Sequence, residues 1–523
     1  MRCPVAVGGA LRTLLLVGAA LRGSASATNA LLGRGSATNV TFPASFAFGA
    51  TTSAYAVEGG WLAGGRGLSI WDGFTHTPGR IRTGETGDVS SDHYHRIAGD
   101  VQLMRRVGLQ YYRFSISWPR LLPSGYGKVN EEAVAFYDGL IDALLNAGIH
   151  PVVTLYAWDL PLVLQVERDG WLSEATASAF VEYASLCFAR FGDRVKHWIT
   201  FHEPETHAVL GYARGEHAPG RAARPTHEPY LAGHFMLLAH AYAVARYRTE
   251  FKQQRGLISI ALNSEWREPA SDAPDDRLAA QRSLEWQLGW FADPVFFGDY
   301  PHLMRQKLGK RLPSFTPEQS ALLRNSTDYF SLQHYASTSA AALADTEASR
   351  GTDFYADMAV RFGPMPGAGK DIVGRQVAPF GLYKLVRWVH SRYTPKGGII
   401  LTGSGHPQRA ESATASRIDS GRVCYIKLYL AQLARAMREG IDVRGYFVSS
   451  LMDGFEWDMG TAVRYGLFHV DFRDPHRKRT AKASAALFAR LASSYVLTLE
   501  PGECNASVTL GGPCEPVLRR QWT

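Results

Sequence analysis

The chain has 523 residues, 46% of them hydrophobic and 20% charged, a balance that excludes a disordered or fibrous protein and supplies a large core. The formal net charge is +8, and Arg2, Arg12 and Arg22 carry three of those charges, which leaves about +5 beyond residue 27. The only tight basic run, Arg477-Lys478-Arg479, reads as a solvated surface patch, and no nucleic-acid-binding module is present.

At the N-terminus, Arg2, the apolar residues 14–21 and Ala25-Ser26-Ala27 follow the pattern of a secretory signal peptide. Residues 1–27 are therefore excluded from the fold, and the protein is expected to be secreted or held in the secretory-pathway lumen. Residues 28–40 form a Gly/Ala/Ser-rich lead. No later apolar run reaches the roughly 18 residues of a membrane span. Sequons at Asn39, Asn325 and Asn505 fit an extracellular context. Of the cysteines beyond Cys3, Cys504 and Cys514 flank a Gly/Pro-rich segment and are expected to pair. Cys187 and Cys424 lie in apolar helical contexts and are expected to pack as small hydrophobes. No CxxC pair suggests a metal site, so neither metal nor cofactor is expected.

The first strand is expected over residues 46–55, and a helix over 100–107. A second strand over 111–118 is closed by Pro119. Asn130 is expected to cap a helix whose apolar positions are Ala133, Tyr137, Leu140, Ile141, Leu144 and Leu145, ended by Gly148. Further strands are expected over 151–156, 198–201, 258–263, 329–333, 398–402 and 445–450. Eight strands alternating with helices predict one closed (β/α)8 TIM barrel over residues 41–497, with long loops at its C-terminal face and a tail over 498–523. The polar stretch 336–379 is read as a loop across the barrel mouth. The strand 198–201 ends at Glu203-Pro204, which puts a carboxylate where barrel enzymes keep their chemistry.

Five stretches in order resemble the family 1 glycoside hydrolases, the group of β-glucosidases, lactases and klotho proteins. They are Phe42-Pro43 through Ser53-Ala54-Tyr55, Tyr112-Arg113-Phe114-Ser115-Ile116-Ser117-Trp118, Trp158-Asp159-Leu160-Pro161, Thr200-Phe201-His202-Glu203-Pro204 and Asp453-Gly454-Phe455-Glu456-Trp457. The resemblance covers roughly residues 40 to 495. It implies two carboxylates across the scissile bond, about 5–5.5 Å apart in retaining enzymes. Glu203 takes the acid/base position. The nucleophile belongs in a Thr-Glu-Asn-Gly pattern, but here the residues are Thr402-Gly403-Ser404-Gly405, so Gly403 leaves that position vacant.

The resemblance also implies that Trp158, His202, Tyr335, Glu456 and Trp457 face the substrate, and that Arg113 orients the nucleophile. Departures from the family pattern stand at Ala56, Ala157, His202, Gln333 and Ser449. The expectation is a secreted, catalytically impaired protein that binds a β-linked glycan, or a protein partner in a klotho-like role. The alternative is an active β-glycosidase that uses Glu203 with a non-standard second group. With no carboxylate at Gly403, Arg113 is expected either to pair with Glu203 or to hold an anion over the small residues Gly403, Ser404 and Gly405. His202 is expected to add positive charge there at mildly acidic pH.

Overall fold

Strands buried on both faces close into a parallel eight-membered ring, because every one of them needs a neighbour for each edge and a helix for its outer face. The computed structural model describes residues 37–343, 353–365, 368–409 and 412–504. The barrel strands are β1 (Ala47–Thr51), β2 (Tyr111–Ser115), β3 (His150–Tyr156), β4 (His197–His202), β5 (Leu257–Asn263), β6 (Phe330–Gln333), β7 (Ile399–Ser404) and β8 (Val443–Ser449). Each pairs in parallel with its neighbours in chain order, and β8 returns to β1 to close the barrel. Ala47, Val152, Ile199, Ala261 and Phe447 fill the lower interior with Tyr111 and Ile400. The barrel is therefore a packed rod whose open end is the C-terminal face.

The second strand stops at Ser115 rather than at Trp118. Trp118–Leu121 is a short helical turn with Pro119 near its start, where a missing N–H costs nothing. Helix α1 (Glu131–Asn146) buries the predicted stripe except Leu145, which lies one helical step past the core face and is exposed. Asn130 stands at its N-cap without bonding the helix; its Nδ2 donates to the carbonyls of Gly64 and Arg120 instead.

The stretch 336–379 is more structured than a loop. Ser337–Ala342 is the centre of a three-stranded sheet, parallel to Trp266–Pro269 and antiparallel to Val360–Gly363. A small hairpin, Gly369–Lys370 with Gln376–Val377, follows it. At the other end of the barrel, Thr38–Thr41 pairs with Val496–Leu499, so the packed unit begins within the expected lead and runs past residue 497.

The cysteine pairing differs from expectation. Cys424 is bonded to Cys504, with Cα atoms 5.4 Å apart. Its helix α2 (Ser420–Arg438) runs beside residues 499–504, and Lys427 Nζ reaches Glu503 at 2.5 Å on the same face. Cys424 is thus a bridge residue and not merely a small hydrophobe; Cys187 is free and buried, and Cys514 lies outside the described residues. Non-reducing peptide mapping is expected to join the Cys424 and Cys504 peptides. Recovery of a Cys504–Cys514 peptide would contradict it. Asn39 and Asn325 are exposed, while Asn505 and the segment 1–27 fall outside the described residues. No helix among the described residues is long and apolar enough to cross a membrane.

Candidate active site

Arg113 projects from β2 into the centre of the barrel mouth and is buried. Its Nε donates to Thr154 Oγ1 at 2.9 Å, Nη1 to the Thr402 carbonyl at 3.1 Å, and Nη2 to His202 Nδ1 at 3.0 Å. Among the described residues, no carboxylate is ion-paired to it. Burial pulls its pKa down to about 10, which still leaves a cation at neutral pH.

His202 is the group that satisfies this guanidinium. Its Nδ1 also receives a hydrogen bond from Gln333 Nε2 at 2.8 Å. A nitrogen that accepts from two donors carries no proton, so the ring is neutral with its hydrogen on Nε2. Burial, helped by the Arg113 charge, holds its pKa well below the ordinary histidine range. The expectation of a second positive charge at mildly acidic pH is therefore corrected: protonation would set a cation against Arg113.

The space expected over Gly403 and Gly405 is filled. A Cβ on Gly403 would lie 2.2 Å from Gln333 Oε1 and 3.1 Å from Tyr335 Oη. A Cβ on Gly405 would lie 2.0 Å from the Ser449 carbonyl. The Gln333 side chain reaches into the room that a side chain at position 403 would occupy. Tyr335 Oη approaches Gln333 Oε1 at 3.3 Å and Ser449 Oγ at 3.2 Å, which ties β6 to the end of β8.

Two cavities flank Tyr335. The first, about 580 Å³, is lined by Arg113, His202, Glu456 and Trp457 together with the small side chains of Ala56, Ala157 and Ser449. The second, about 790 Å³, is lined by Glu203, Glu205, Asn263, Gln333, Tyr355 and Arg375. Glu203 sits at the N-cap of the helix Pro204–Tyr212, with φ of 43°. Its Oε2 accepts from Thr206 Oγ1 at 3.0 Å, so it does not lean onto Arg113. Burial raises its pKa to about 7.

The loop after β8 holds the opposite wall. Asp453 accepts from the backbone N–H of Gly466 at 2.9 Å and from Lys482 Nζ at 2.7 Å, and these partners keep it ionised far below the usual carboxylate range. That anchor sets Glu456 and Trp457 against the first cavity. Glu456 has no hydrogen-bonding or ionic partner among the described residues, and burial with the nearby Asp453 charge lifts its pKa to about 7. Trp158 lies behind this wall. It is 4% exposed, donates from Nε1 to the His202 carbonyl at 2.7 Å, and packs 4.4 Å from the Trp457 ring. It props two lining residues without lining either cavity.

Sequence reading passed over Glu205, Asn263 and Arg375. The available signal was a second glutamate two residues past Glu203, and Asn263 as the last residue of a predicted strand.

Glu203, Glu205 and Glu456 all have pKa values raised to about 7, chiefly by burial. Unfolded carboxyls of this type titrate near 4.3. Between those values the native state holds more protons than the unfolded chain, so these groups lower stability as pH rises through that window, and the loss persists above it. Glu205→Gln is expected to stabilise the protein at pH 8 by about 1–3 kcal/mol and to leave stability at pH 4 unchanged. Urea unfolding at both pH values checks this; an equal gain at both would contradict it.

A family model described as glycosyl hydrolase family 1 matches residues 38–495. The β-glucosidase 42 of Arabidopsis thaliana is 45% identical over 463 residues, covering 86% of this chain and 93% of that protein. A rice protein named probable inactive β-glucosidase 14 is 40% identical over 483 residues, covering 87% and 92%. Among solved structures, a rice Os3BGlu6 β-glucosidase superposes with a TM-score of 0.84 at 40% identity, covering 86% of this chain and 99% of that one.

Proposed function

The chain belongs to glycosyl hydrolase family 1, and on that footing we propose that it is a secreted glycoside-binding protein whose hydrolytic step is disabled. The observation that carries this reading is the glycine at position 403 with the Gln333 amide filling the space beside it. Retaining hydrolysis needs a carboxylate on each side of the scissile bond. Glu203 has a pKa suited to a general acid. Across from it the chain offers an amide and a neutral imidazole, neither of which is a competent nucleophile here.

Glu205 does not repair the loss. It lines the same cavity as Glu203, so the two carboxylates stand together rather than opposed. Glu456 belongs to the other cavity. The competing reading, an active β-glycosidase, is favoured by the raised pKa of Glu203 alone. It requires an opposing carboxylate that the described residues do not supply.

The ligand class is taken from the family, whose named members here are β-glucosidases. Trp457, Glu456 and Tyr335 offer a stacking face and polar contacts for a β-linked glycoside. Ala56, Ala157 and Ser449 stand where sugar-reading groups stand in the family pattern, and each missing hydrogen bond forfeits about 1 kcal/mol of affinity. Secretion is supported by the exposed sequon asparagines Asn39 and Asn325 and by the Cys424–Cys504 disulfide.

A glycan array probed with the secreted protein, with release of nitrophenol from aryl β-glycosides followed alongside, tests the reading. Selective retention on β-linked glycans without turnover is expected. Turnover that disappears in Glu203→Gln would overturn it.

A further inference from the structure

Glu203 and Glu205 are 8% and 7% exposed, and neither is ion-paired among the described residues. Glu205 Oε2 accepts from Asn263 Nδ2 at 3.0 Å, as Glu203 Oε2 does from Thr206. No hydrogen bond among the described residues reaches the second oxygen of either carboxylate. Asn263, 9% exposed at the end of β5, lines the same cavity with its Oδ1 unpartnered. Buried charges and polar atoms left in this state are costly unless something supplies their partners.

The other charged groups facing this cavity are already committed. Arg375 is bonded to Asp371 at 2.9 Å and to the Tyr465 hydroxyl at 2.5 Å. Glu265 is bonded to Arg267 at 2.6 Å. Tyr335 and Tyr355 keep their protons, since burial drives both phenols above their ordinary pKa. The open acceptor capacity among the buried groups is concentrated on two carboxylates and one amide oxygen.

We propose that this cavity binds an organic ammonium group, a protonated alkylamine seated on Glu203 and Glu205 with Asn263 Oδ1 as a third acceptor. An ammonium carries three donors and no acceptor, which complements three unpartnered acceptors, and charge-assisted hydrogen bonds of this kind are about twice as strong as neutral ones. A metal ion is a poorer match, because no group of three His, Cys, Asp or Glu side chains among the described residues has the geometry to hold one. The ligand class is therefore an amine-bearing aglycone or amino compound, and its binding does not depend on whether Gly403 abolishes hydrolysis.

Because both carboxyls titrate near pH 7, the site takes on its charge as pH rises through that value. An alkylammonium is still protonated at pH 8. Calorimetry with 2-phenylethylamine and its neutral counterpart 2-phenylethanol separates charge recognition from simple burial of the ring. At pH 8 the amine is expected to bind at least tenfold tighter than the alcohol, and the preference is expected to vanish at pH 5. Glu205→Gln is expected to remove at least tenfold of the amine affinity without moving the alcohol. Glu203→Gln serves as the second variant, with the same expectation. Equal affinities for amine and alcohol at pH 8 would overturn the proposal. So would an amine preference that survives both substitutions, since the amine would then sit elsewhere.

Discussion

4-Nitrophenyl β-glucoside and its β-galactoside analogue are expected to be turned over at least roughly a thousandfold more slowly than the ~10 s⁻¹ typical of enzymes. The covalent route splits one difficult displacement into two easier ones, and it needs a nucleophile within reach of the anomeric carbon. Position 403 has no side chain, and Gln333 Oε1 stands 2.2 Å from where its Cβ would be. Direct attack by water would require a base opposite Glu203, and Gln333 and His202 do not serve. His202 spends its only lone pair on Arg113 and Gln333. A thousandfold loss corresponds to about 4 kcal/mol of barrier, within what removal of a single essential group causes. Steady-state assays settle the point, and Glu203→Gln is expected to change the residual rate little.

Restoring the missing carboxylate is expected to harm the protein before it helps catalysis. Gly403→Glu drives its Cβ into Gln333 Oε1, and Tyr335 Oη blocks the nearest escape at 3.1 Å. Tyr335 is tied to Ser449, and Gln333 to His202, so relief requires breaking a hydrogen-bonded set rather than turning one rotamer. Overpacking of this kind costs about 1–3 kcal/mol. Thermal unfolding should show the single variant destabilised, and Gly403→Glu combined with Gln333→Asn should recover part of the loss. Neither is expected to hydrolyse aryl glucosides efficiently, because Ala56, Ala157 and Ser449 still leave the sugar poorly held, and positioning supplies much of the rate. A single variant that folded normally and hydrolysed glucosides at ordinary rates would contradict this account of the pocket.

The barrel was legible in the chain because its strands are apolar runs of the right length, separated by helices with a clear apolar stripe. The glycine at the expected nucleophile position was legible too, since Thr402-Gly403 is a local pattern. What filled that position was not. Gln333 and His202 come from β6 and β4, and only the closed ring brings them to one point. Arg113 illustrates the same limit. An Arg113 without a carboxylate at position 403 was an expectation from the sequence, but a neutral histidine as its partner depends on which nitrogen faces the guanidinium. The cysteine pairing failed for a related reason: spacing favours Cys504 with Cys514, while Cys424 is brought near only by a helix folded against residues 499–504. Trp158 read as a pocket residue because of its motif, and burial behind Trp457 is a matter of side-chain direction that a motif does not carry.

The central claim is that no residue of this chain acts as a glycosyl nucleophile. Its most direct test is intact-protein mass spectrometry after incubation with 2,4-dinitrophenyl 2-deoxy-2-fluoro-β-glucoside, which traps a glycosyl-enzyme when a nucleophile is present. The account predicts an unchanged mass at concentrations that saturate the protein. A stoichiometric glycosyl adduct, mapped to any side chain at the barrel mouth, would contradict it.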